Sequence, residues 1–91
     1  MSGTVALKMK ILPTGLEINL KDIEKHARHA LESLKAKNLS FLEEPIAFGL
    51  KALIISCAWP EETSVDEAEN KLNAIKGVSS SEVIDYRRAF G

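Results

Sequence analysis

Apolar residues near the amino terminus fall on alternate positions: Val5, Leu7, Met9 and Ile11, with Ala6, Lys8 and Lys10 between them. This period of two predicts a half-buried strand over Thr4 to Leu12, stopped by Pro13 and Gly15. From Leu20 the period becomes helical: Leu20, Ile23, Ala27, Ala30, Leu31 and Leu34 share one stripe, while Lys21, Glu24, Arg28, Glu32 and Lys35 face water. Asn19 is the expected cap, Asp22 complements the positive first turn, and Asn38 is the expected stop. Leu39 to Ala47 reads as a second strand, and Pro45 within it requires a sheet edge because its nitrogen has no hydrogen to donate.

Leu50 to Trp59 reads as a third strand, whose run ALIISCAW is apolar on both faces, the pattern of a central strand. Ser64 and Glu67 make a capping box, and Val65, Ala68, Leu72 and Ile75 form the stripe of a second helix closed by Gly77. A fourth strand is expected from about Ser80 to Arg88, carrying Val83, Ile84 and Tyr86. The order strand, helix, strand, strand, helix, strand predicts an α+β fold: a ferredoxin-like βαββαβ sandwich with a four-stranded antiparallel sheet and two helices on one face. A length of 91 residues leaves room for one hydrophobic core, so a single domain over residues 1–91 is expected.

Composition narrows the function classes. Hydrophobic residues at 45% and charged residues at 27% predict a folded chain rather than a disordered one. A net charge of -1 supplies no overall positive field, so neither direct nucleic-acid binding nor adsorption to an anionic membrane is expected. Cys57 is the sole cysteine, which excludes an intrachain disulfide and a CxxC motif and suits a reducing cytoplasm. The segment MSGTVALKMK has no apolar core of an export signal, and no run approaches membrane-spanning length.

Few residues offer chemistry. His26 and His29 are three apart on the first predicted helix, near Glu24, but lack a third metal ligand from another element. Cys57 sits in an apolar run and reads as packing. The turn PTGLEIN has one glycine and no basic residue, so it is not a phosphate loop, and no Ser-His-Asp set or acid-base pair emerges. The central strands offer Lys8, Lys10, Leu53, Ile55 and Cys57, with Trp59 alone at the far end, which disfavours base stacking. The helix-free sheet face would then hold Leu53 and Ile55. Glu43, Glu44, Glu61 and Glu62 read as solvated charge.

Phe48, between Ala47 and Gly49, leaves two readings open. Its ring folds back over the helices, or it projects as an anchor for a partner pocket. Arg87 and Arg88 pose a similar choice between solubilising charge and the tip of a contact surface.

The segments VALKMKILPTG, EEPIAFGLKAL and GVSSSEVIDYRR together resemble the elongation factor 1-beta family, archaeal members in particular, over nearly the whole chain. The resemblance implies a ferredoxin-like fold and guanine nucleotide exchange on the GTPase elongation factor 1-alpha, with no enzyme active site and no cofactor. It places Phe48 at the family's aromatic between small residues and Lys51 at the lysine after the turn, both facing the GTPase. Ile46 belongs to the same PIAFGLK turn and would add apolar anchorage. Arg88 takes the position of a lysine that in eukaryotic relatives reaches toward the GTPase's magnesium and phosphate site, with Arg87 beside it. The hairpin ring and the cationic tail would act from neighbouring ends of the sandwich. The competing expectation is a small-molecule-sensing regulatory module of the same topology, dimerising through strand edges or the open sheet face.

Overall fold

The computed structural model describes residues 3–88. Among these, the elements are β1 (Thr4–Pro13), α1 (Leu20–Ser33), β2 (Lys37–Pro45), a 3₁₀ turn (Ala47–Gly49), β3 (Lys51–Pro60), α2 (Val65–Asn73) and β4 (Val78–Arg88). The strands pair in the order β2-β3-β1-β4, every neighbouring pair antiparallel. This is the split βαβ repeat expected of a ferredoxin-like α+β sandwich. Pro45 closes an edge strand, where its missing N–H breaks no ladder bond.

Both helices begin where their caps are written. The Asn19 side chain accepts from the Lys21 N–H at 2.9 Å, and the Ser64 hydroxyl accepts from the Asp66 N–H at 3.1 Å. The end of α1 differs from expectation. Leu34 is its C-cap, and Lys35 turns left-handed at φ 74°. The Lys35 N–H donates to the Glu32 carbonyl and the Ala36 N–H to the Leu31 carbonyl, both at 3.0 Å. These crossed bonds close a Schellman turn, and buried Ala36 provides its apolar contact against buried Leu31. Asn38, also left-handed at φ 57°, instead opens β2 where the register with β3 shifts between Lys37 and Ser40.

The core lies between the helices and one sheet face. Val5, Leu7, Met9 and Ile11 from β1 meet Ile23, Ala27 and Leu31 from α1 and Ala68 and Leu72 from α2. From β3 the residues on this face are Leu53, Ile55, Cys57 and Trp59, and the Trp59 indole N–H donates to the Thr63 carbonyl at 2.8 Å. Leu53 and Ile55 therefore do not lie on the open face. Their cross-strand partners, Ile11 and Met9, are core residues, and directly paired residues share a face. The open face of β3 carries Ala52, Ile54, Ser56 and Ala58 instead, beside Ala6, Lys8 and Lys10 of β1. The large wet apolar face that favoured a dimeric sensor is thus absent from the described strands.

Candidate functional site

The β2-β3 hairpin ends on the rung Pro45 with Lys51. Beyond it the Ile46 N–H donates to the Leu50 carbonyl at 2.8 Å, and the Leu50 N–H donates to the Ala47 carbonyl at 3.2 Å. Closing this loop takes two successive left-handed residues, Phe48 at φ 62° and Gly49 at φ 78°. Glycine adopts this region freely, whereas a side chain there costs about 1–2 kcal/mol. Phe48 bears that cost and also leaves its ring 92% exposed, the highest value among the described large hydrophobics. Folding gains almost nothing from the ring, so backbone strain and exposure coincide at one residue, the pattern of a contact site. Of the two sequence readings, the structure has the ring projecting.

The surroundings of Phe48 are electrically balanced. The Lys51 ammonium lies 3.8 Å from Glu43, and Lys10 lies 3.7 Å from Glu44 across the strands. Ile46 is half-buried at the base of the turn. Leu16, from the β1-α1 loop, is 69% exposed and stands beside the turn, where a Cβ on Gly49 would lie 3.6 Å from its Cδ2 atom. Sequence reading passed over Leu16 because it belongs to no periodic segment, and its neighbour Gly49 is distant along the chain.

Arg88 ends β4 opposite Val5, its side chain 78% exposed, with Nη1 2.5 Å from Glu61 Oε2. Glu61 follows β3, and its N–H donates to the Gly3 carbonyl at 3.0 Å. Arg87 donates from Nε to Asp85 at 3.2 Å on the open face. The register corrects the expected proximity of the two sites. Arg88 adjoins Val5, itself paired with Trp59, while Phe48 lies beyond the rung of Ile11 with Leu53. The six-residue step along β1 alone spans about 20 Å at roughly 3.4 Å per residue. The hairpin ring and the arginine tip occupy opposite ends of the sheet, because β4 runs antiparallel to β1 and returns to its start.

The remaining candidates lie apart from both ends. His26 and His29 are exposed on α1, and no group of three metal-ligating side chains forms among the described residues. Burial pushes the Cys57 thiol from its ordinary 9.0 up to about 11 and suppresses the nucleophilic thiolate. No helix among the described residues is long and apolar enough to cross a membrane.

Comparison with known proteins gives the family. The EF-1 guanine nucleotide exchange domain family matches residues 6–88. Elongation factor 1-beta of Methanococcus vannielii is 35% identical over 84 residues, covering 91% of this chain and 94% of the relative. That of Methanosarcina acetivorans is 33% identical over 87 residues, covering 94% and 98%. The Methanoregula boonei protein is 37% identical over 87 residues, covering 91% and 94%. The chain belongs to the EF-1 guanine nucleotide exchange family and is an exchange factor acting on a GTPase, not an enzyme.

Proposed function

We propose that this chain, as one exchange domain working in the cytoplasm, promotes exchange of GDP for GTP on elongation factor 1-alpha and so regenerates the form that carries aminoacyl-tRNA. The observation that carries the reading is Phe48: a ring 92% exposed on a left-handed backbone that folding alone does not reward. The factor binds the empty GTPase more tightly than the GDP-bound one. By thermodynamic reciprocity it then weakens GDP binding by the same ratio.

Phe48, Ile46 and the stem of Lys51 provide apolar anchorage at the hairpin end. Arg88, with Arg87 beside it, presents a cation at the other end, where it competes for phosphate or carboxylate groups that hold the nucleotide and its magnesium. The arginine itself gives up little desolvation on release from Glu61, since its side chain is 78% exposed. The two ends contact separate regions of the GTPase, at least about 20 Å apart by strand rise. One end anchors while the other disturbs the nucleotide site.

Stopped-flow release of a fluorescent GDP from elongation factor 1-alpha tests the reading. Release should accelerate with added factor. An unchanged rate at saturating factor would refute it.

A further inference from the structure

We propose that Leu16 is a second partner-contact residue and that, with Phe48, it forms one continuous apolar end that docks on an apolar patch of the GTPase. The inference rests on the exchange reading above and deepens it. Leu16 and Phe48 are 69% and 92% exposed and come from different connections, the β1-α1 loop and the β2-β3 turn. The turn places them at the same end of the fold, since a Cβ on Gly49, the residue after Phe48, would lie 3.6 Å from the Leu16 Cδ2 atom. Beside Leu16, where the β1-α1 loop meets the turn, lies a cavity of about 320 Å³ lined by Leu16, Leu20, Gly49 and Leu50 together with Glu43 and Lys51.

The charges at this end specify the occupant. Glu43 and Glu44 are each matched by a lysine within 4 Å, at 3.8 and 3.7 Å, and Glu17 beside Leu16 adds a carboxylate, so this end presents no excess of positive charge to a phosphate or a nucleic acid. What it offers is two large apolar side chains inside a polar rim, the anatomy of a protein contact. A contact centred on Phe48 covers Leu16 as well, because water left between adjacent anchors would weaken both.

The test titrates the full chain against elongation factor 1-alpha loaded with fluorescent GDP. Leu16→Gln should raise the factor concentration for half-maximal release roughly tenfold, as expected for losing most of one leucine's burial. The plateau rate should stay unchanged, and Leu16→Met should remain within about twofold of the parent, since it conserves apolar volume. Circular dichroism melts verify folding, and Leu16→Ala supplies the same truncation if glutamine disturbs the loop. A half-maximal concentration unaffected by Leu16→Gln, with Phe48→Ala impaired, overturns the inference and leaves the exchange reading standing. An inert parent chain overturns both. Sedimentation equilibrium in which Leu16→Gln converts a dimer to a monomer would show a self-contact and also overturn it.

Discussion

Removing the Phe48 ring should separate function from stability. The ring is 92% exposed, so Phe48→Ala forfeits only its small residual burial, worth about 0.2 kcal/mol when full burial of such a side chain is worth about 1.5–3. Alanine keeps most of the left-handed strain, and its net effect on folding should stay within about 0.5 kcal/mol. Phe48→Gly removes strain of about 1–2 kcal/mol and adds about 0.5–1 kcal/mol of unfolded-chain entropy, so the protein should hold its stability or gain up to about 1.5 kcal/mol. In the complex the ring becomes buried, and losing about 2–3 kcal/mol of contact corresponds to roughly 30- to 140-fold weaker association. Urea unfolding followed by circular dichroism reads the first effect. Stopped-flow release of fluorescent GDP reads the second. Loss of more than about 1 kcal/mol of stability in Phe48→Ala would mean that the ring packs in solution, and exchange within about twofold of the parent would remove it from the interface.

Arg88→Ala should lower the plateau rate of GDP release more than it raises the half-maximal concentration, because the cation acts on the nucleotide site and not on anchorage; equal plateaus would exclude that role. Glu61→Gln should change stability by less than about 1 kcal/mol, checked by urea denaturation, since its arginine partner is largely in water. The raised Cys57 thiol value keeps that group protonated in the folded chain while the unfolded thiol ionises, so the unfolded state binds fewer protons between pH 9.0 and about 11. Stability should therefore fall with rising pH across that window, and Cys57→Ala should flatten this part of the profile. Leu31→Ala, which empties a fully buried position against the sheet and removes a contact of the Schellman turn, should cost about 2–5 kcal/mol by urea midpoint.

The elements themselves were legible in the chain because their signals are local. Alternation in β1, the stripes of α1 and α2, the Asn19 and Ser64 caps and the proline of an edge strand each depend on residues a few positions apart. Their order sufficed for the βαββαβ topology, since short connections and a split βαβ leave few arrangements. The PIAFGLK turn likewise marked the connection between β2 and β3.

What needed tertiary structure was every relation between distant segments. The run Ala52 to Ile55 is buried on both faces, so its pattern carries no parity, and only pairing with β1 decided that Leu53 and Ile55 face the helices. The α1 stop fell on Lys35 because a Schellman turn closed by apolar packing outweighed the preference that asparagine has for the left-handed region. Phe48's separation from Arg88 by the length of a strand follows from register and direction across the sheet, and the nearness of Gly49 to Leu16 from two connections meeting at one end. A linear pattern encodes which residues share a face of one element. Which faces and ends meet is set by the pairing that buries the most apolar surface, and that is a property of the whole fold.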